Sequence, residues 1–418
     1  MFALVKYRQN LDQTKLADVE AELEKQLAAI RSSLTFQAGQ NVGIAVGSRG
    51  IANLDRIVSM VVRTTRSWGL EPFILPAMGS HGGATAEGQT TLLAGYGISE
   101  EKMGCPVVSS MEVVEVGRTE RGTPVFLSQT ALTADHIILI NRIKPHTLFS
   151  GPIESGLLKM AVVGLGKHQG ALAYHSEMKK QHPSMAIEEM ARTVFQHCRV
   201  LFGIGLVENA YDQTARIQVM PVTEIFAQEK VLLEEAKRLM PRLPCPEFDL
   251  LIVDEMGKDI SGSGMDPNIV GRYWDQPVSE PNIGRIFVRA LSEKTHGNAI
   301  GIGRADFTTN RLVSNIDYQA TYANSITSGN PVSARIPIHF ETDKEVLEAV
   351  LQSLGSVEVE NLTVVWIKNT LEISEILLSP SLIDRYNLDP GGIVGEPFQV
   401  EFDEQGNLLR PPFGFEST

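Results

Sequence analysis

Residues 41–50 read Asn41-Val42-Gly43-Ile44-Ala45-Val46-Gly47-Ser48-Arg49-Gly50. A short apolar run opens into a glycine loop, so a buried strand delivering a small polar turn is expected. Upstream, Leu16, Val19, Leu23, Leu27 and Ile30 recur at three- and four-residue steps among charges. That spacing predicts a helix over residues 14–34. Downstream, an amphipathic helix runs through Ile57 and Val61 to Trp68, and residues 72–77 form the next strand, closed by Gly79. The apolar runs at 136–140 and 159–163 are read as further strands. Strand, loop and helix in alternation predict an α/β fold with mostly parallel sheets. In such folds the polar residues just past strand ends meet in one crevice.

The chain has 418 residues, enough for two domains. Residues 234–249 carry three prolines before the apolar run 250–253, as a connector between domains does. We expect two α/β domains, 1–243 and 248–418, with a ligand cleft between them. The net charge is -13, which opposes binding to a phosphate backbone. Cys105, Cys198 and Cys245 share no CxxC spacing, so reduced thiols are expected rather than a disulfide framework or thiolate zinc site. The amino terminus lacks a basic start followed by a long apolar core, and no apolar run approaches ~18 residues. A cytoplasmic protein with no membrane span and no nucleic-acid partner is the expectation; the oligomeric state is not legible.

Four clusters can carry chemistry. Residues 76–85, Pro-Ala-Met-Gly-Ser-His-Gly-Gly-Ala-Thr, place His81 in a small-residue loop ahead of a helix over residues 84–93. Glycines admit a ligand close to the backbone, and an imidazole suits proton transfer near neutral pH. Residues 141–146, Asn-Arg-Ile-Lys-Pro-His, put His146 after a strand, with Lys144 held extended by Pro145. Residues 150–175 are rich in Gly and Ala and contain Lys159, Lys167, His168 and His175. That mixture serves a metal, a phosphate or a Schiff base equally well, and Lys167 or His168 can equally be solvated. Residues 254–268 form a glycine loop in which Asp254 and Glu255 could pair as carboxylates; Lys258 and Arg272 are the best cations there for an anionic group. Asp259 and Asp266 are read as turn formers.

Taken together these clusters resemble the nickel-dependent lactate racemase family. Gly47-Ser48-Arg49 is similar to its early Thr-Arg segment, and residues 77–81, Ala-Met-Gly-Ser-His, to its Ala-x-Gly-Thr-His loop. Pro145-His146 with the run to Lys159 resembles its Pro-His…Lys element, and His175 stands where the metal-binding histidine is expected. The resemblance implies a racemase or epimerase of a small-molecule 2-hydroxy acid. Its cofactor would be the nickel-pincer nucleotide (nickel pyridinium-3,5-bisthiocarboxylic acid mononucleotide), supplied by cofactor maturation enzymes. By resemblance His81 and His146 are the catalytic acid and base while hydride moves to and from the cofactor. Lys159, Ser48, Gly79 and Ser80 bind the cofactor and His175 binds Ni. Arg49 binds the substrate carboxylate, with Lys258 and Arg272 as further substrate candidates. Residues 1–243 would be the lactate-racemase-like catalytic domain and 248–418 would close the cleft. Val46 replaces an acidic residue of the family and Gly82 an arginine. Gly82 is read as enlarging the pocket for a longer or more polar hydroxy acid. Two other classes compete on the residues alone: a ligand-binding protein of the same fold without activity, and a zinc or iron hydrolase.

Overall fold

The structure is a computed structural model that describes residues 2–48, 50–274, 280–355 and 358–409. The chain forms two compact units, Asp12–Met240, and residues 1–11 together with 241–418. The expected partition was 1–243 and 248–418. The change of unit falls at the first proline of the connector, and the first strand, Ala3–Arg8, pairs within the other unit.

The 12–240 unit is built on a five-stranded sheet, in the order Glu71–Pro76, Asn41–Val46, His136–Arg142, Val200–Glu208, Thr214–Pro221. The first four strands run parallel and the last is antiparallel. Alternation explains why such apolar strands form. Ile138 and Ile140 enter one hydrophobic core with Val42, Ile44 and Ile74, while Ile137 and Leu139 enter another with Ala45 and Leu75. A sheet covered on both faces asks for apolar side chains at successive positions. Each fully buried Ile, Leu or Val stabilises by about 1.5–3 kcal/mol. The helix Leu54–Ser67 covers one face with Ile57, Val58, Val61 and Val62. The helices Pro183–His197 and Ile225–Leu239 cover the other.

The strands expected at 41–46, 72–77 and 136–140 are present as Asn41–Val46, Glu71–Pro76 and His136–Arg142. Two elements differ. The first helix begins only at Val19, capped by Asp18, whose side chain accepts from the amides of Glu20 and Ala21. Leu16 lies outside it, with its amide donating to Thr214 O at 2.9 Å. Residues 159–163 are not a strand. The helix Leu157–Lys159 runs into a π-helical turn, Met160–Gly164, in which the Leu165 amide reaches Met160 O at 2.8 Å. A short apolar run does not distinguish a buried strand from a buried helix.

The other unit contains an eight-stranded sheet. Ile338–Phe340, Phe307–Thr309, Asn282–Leu291, Glu247–Met256 and Val364–Ile367 are parallel, and Glu375–Leu378, Ala3–Arg8 and Ile393–Gln399 continue it antiparallel. Asp254 and Glu255 are not a carboxylate pair. They are successive strand residues and point to opposite faces. Asp254 accepts from Arg289 Nη1 at 2.6 Å and Trp366 Nε1 at 2.9 Å, whereas Glu255 accepts from Asn369 Nδ2 at 3.1 Å. The glycines of the 257–268 loop serve chain crossing. A Cβ on Gly264, at φ +82°, would lie 1.9 Å from Ile300 O.

Arg289 is the hub of this unit, buried and also donating to Asp343 Oδ2 at 2.9 and 2.8 Å. Removing the shared cation leaves two buried carboxylates undercompensated. Arg289→Leu is expected to lower unfolding free energy in urea by about 3–5 kcal/mol. Arg8→Leu, at an exposed ion pair with Glu375, should cost less than about 1 kcal/mol. Equal midpoints for the two variants would contradict the hub.

Candidate active site

Parallel register brings three chain segments out at one edge of the five-stranded sheet. Val46 pairs with Pro76 on one side and Ile140 on the other, so the loops bearing Ser48, His81 and His146 follow the carboxyl ends of neighbouring strands. At about 4.8 Å between strands, the two outer loops start about 10 Å apart.

The 77–81 loop is fixed by backbone contact. Gly79, at φ +60°, donates its amide to Gly164 O at 3.3 Å, and a Cβ there would lie 3.2 Å from Val163 O. A Cβ on Gly164 would lie 2.6 Å from Ala77 O. Only glycines permit this crossing of loop and π-helical turn. His81 is exposed, with Nδ1 hydrogen-bonded to the Ser48 hydroxyl; Ser48 O accepts from Tyr96 OH at 2.8 Å. Ser80 is exposed and its carbonyl accepts from the Ala84 amide at 3.1 Å. The helix expected over residues 84–93 is Ala86–Gly95, started by the Thr85 cap. Gly82 does not open a pocket. A Cβ on it would lie 2.6 Å from the Gly88 carbonyl carbon, so helix packing requires the glycine.

His146 is held from both ends. Lys144 is extended as expected and pairs with Ser155 through hydrogen bonds of 2.9 and 3.3 Å. The buried Glu154 accepts from the His146 amide at 2.6 Å and pairs with Lys237 at 3.0 Å. The imidazole stacks on Phe149, with ring centroids 4.4 Å apart, and Nδ1 accepts from the Leu148 amide at 3.1 Å. In that arrangement the neutral ring carries its proton on Nε2. Arg142, one of the two expected neighbouring cations, is paired with Glu208.

Lys159 and His175 come together through the helical connection. Lys159 ends its short helix, and His175 lies near the end of the helix Lys167–Glu177. Burial, then the ammonium groups of Lys159 and Lys179, hold His175 below the ordinary imidazole value. The ring is therefore a neutral donor near pH 7, the form that binds a metal. Among the described residues no group of three or more His, Cys, Asp or Glu could hold a metal ion. A metal at His175 would therefore have fewer than three such protein ligands among the described residues.

Arg49 lies outside the described residues. Lys258 and Arg272 belong to the other unit. Lys258 Nζ bonds Asn324 Oδ1, and Arg272 pairs with Asp306 at 2.7 Å while donating to Arg304 O at 2.9 Å. His168 is exposed, but Lys167 is not solvated: it is fully buried.

Several supporting contacts carried no readable signal in the sequence. Asn141 Nδ2 donates to Gly156 O at 2.8 Å. Glu229 sits in the apolar stripe of its helix with Leu232 and Leu233, and nothing in its spacing marks it. Its Oε2 accepts from the Leu158 amide at 3.0 Å, and a Cβ on Gly156 would lie 2.5 Å from its carboxylate. This buried carboxyl thus anchors the turn that carries Lys159. Burial raises its pKa from 4.5 to about 7. The folded chain binds that proton more tightly than the unfolded chain, so stability falls as pH rises from 4.5 to about 7. The loss is at most about 3 kcal/mol. Glu229→Gln should remove most of it, seen as a smaller drop in urea stability between the two ends of that window. An unchanged drop would contradict the assignment.

Comparison with known proteins bears on the same segment. Residues 3–186 match the family model for the lactate racemase N-terminal domain. No curated protein sequence matches the chain. Among solved structures, the lactate racemase apoprotein from Thermoanaerobacterium thermosaccharolyticum is similar at 14% identity and a TM-score of 0.48, over 92% of this chain and 96% of that one. The likeness to the lactate racemase N-terminal domain thus lies in residues 3–186, the segment that holds Ser48, His81, His146, Lys159 and His175.

Proposed function

We propose that this chain inverts the hydroxyl-bearing carbon of a small 2-hydroxy acid with the help of a nickel-pincer nucleotide. The observation that carries the reading is the joint placement of the Ser48–His81 pair and His146 after neighbouring parallel strands. His175 would hold the nickel and Lys159 the thio-acyl arm. The depressed pKa of His175 and the adjacent amine suit those tasks. When bound, the cofactor supplies a hydride acceptor and the donors that the protein itself does not.

The chain's own residues then handle the proton. His81 takes the substrate hydroxyl proton, and the Ser48 hydroxyl can rotate to follow either ring tautomer. His146, with its proton on Nε2, hydrogen-bonds the substrate oxygen from the opposite side. When the inverted hydroxyl forms, His146 gives it the Nε2 proton, takes one from solvent on Nδ1 and gives up the Leu148 contact, while His81 releases its extra proton to solvent; in the reverse direction the two roles exchange. The stacked Phe149 keeps the ring plane through that exchange. Arg49 is the candidate for the substrate carboxylate, which a guanidinium fits with two parallel hydrogen bonds.

Protein produced with nickel and the cofactor maturation enzymes should contain both metal and nucleotide and should invert at least one member of a chiral 2-hydroxy acid panel. His81→Ala and His146→Ala should each lower kcat by about 10²–10⁴-fold while keeping nickel. His175→Ala should lose nickel. Loaded wild-type protein that inverts no hydroxy acid would contradict the proposal.

A further inference from the structure

Lys167 and Gln89 have no part in the chemistry above, yet both are fully buried beside it. Lys167 is the first residue of the helix that carries His175 and has a left-handed backbone, φ +56°. A non-glycine residue there is uncommon and needs its surroundings to hold it. Its Nζ donates to Pro76 O at 2.6 Å and to Gln89 Oε1 at 3.0 Å. Gln89 Nε2 in turn donates to Gly79 O at 2.9 Å and to His81 O at 3.3 Å. The chain of hydrogen bonds starts on the helix of the proposed metal ligand and ends on the backbone of the proposed base.

We infer that Lys167 and Gln89 are positioning residues for His81, acting as a relay that fixes its loop relative to the His175 helix. The inference rests on the functional reading given above for His81. Three features of the relay carry it. Every bond ends on a backbone carbonyl of residues 76–81 or on the other member of the pair. Neither hydrogen-bond partner of Lys167 among the described residues is a carboxylate, and a buried ammonium without one is costly beside an apolar side chain of the same volume. Burial also pulls the Lys167 pKa down to about 8, in keeping with that cost. Finally, Gln89 engages both ends of its amide: the oxygen takes the ammonium and the nitrogen serves the two loop carbonyls, so a change at either residue reaches His81.

Two variants separate the relay from simple packing. Lys167→Met fills the space and removes the donor. Gln89→Glu keeps an acceptor for Lys167, now as an ion pair, but removes the donors to Gly79 and His81. Full-length apoprotein with isotope-labelled histidine is followed by NMR through a pH titration, with the His81 ring signal identified by its loss in His81→Asn. In both variants the His81 signal should move or broaden and its titration midpoint should shift, while His197 and His339 stay in place. Where activity is established, kcat should fall about 10-fold or more with KM little changed. The NMR readout needs neither cofactor nor substrate, so it stands apart from the test of the reaction itself. If Lys167→Met fails to fold, Gln89→Glu decides alone. An unmoved His81 signal in folded Gln89→Glu overturns the relay, as does a shift confined to one of two folded variants.

Discussion

Parallel pairing of Asn41–Val46 with Glu71–Pro76 and with His136–Arg142 is the constraint on which the rest of the site depends. Parallel strands buried on both faces leave their polar turns nowhere to go but the sheet edges. Register then decides which turns meet. With Val46 level with Pro76 and Ile140, the loops of Ser48, His81 and His146 must share one edge. A one-residue slip would turn Ile138 and Ile140 out of their core. The apolar packing that stabilises the unit therefore also fixes the spacing of the imidazoles.

Loops placed this way still need holding, and buried polar groups do it. Gly79 and Gly164 let two backbones touch, Glu154 grips the His146 amide, and Glu229 receives the turn before Lys159. Each group carries a desolvation cost that an apolar replacement would avoid. The cost is visible in the raised carboxyl of Glu229 and the lowered ammonium of Lys167, both shifted by burial. Geometry accounts for the arrangement better than stability does. The π-helical turn Met160–Gly164 belongs to the same pattern, because the extra residue in its turn sits where the loop and the helix cross.

Much of this was legible in the sequence. The strands at 41–46, 71–76 and 136–142 announce themselves by apolar runs that end in Gly or Asn, and their loops carry the residues argued from composition. What was not legible has physical causes. Leu16 continues the helical spacing by coincidence; its amide is taken by Thr214 in a neighbouring strand, and Asp18 starts the helix later. Residues 159–163 are apolar without a period, so strand and helix look alike. Lys167 and Glu229 are polar residues whose partners lie 71–91 positions away. No local rule reveals such partners. Gly82 shows the opposite error: a missing side chain read as space proved to be a contact with Gly88.

In the proposed reaction the imidazoles move only the hydroxyl proton, and the hydrogen on carbon never mixes with water. The most direct measurement is inversion of a hydroxy acid deuterated at its stereocentre, in ordinary water, by the nickel-loaded chain. Mass spectrometry of the separated enantiomers reads the label. The inverted product should keep its deuterium. Loss of the label to solvent at the rate of inversion would contradict it, because the histidines would then be acting on the carbon itself.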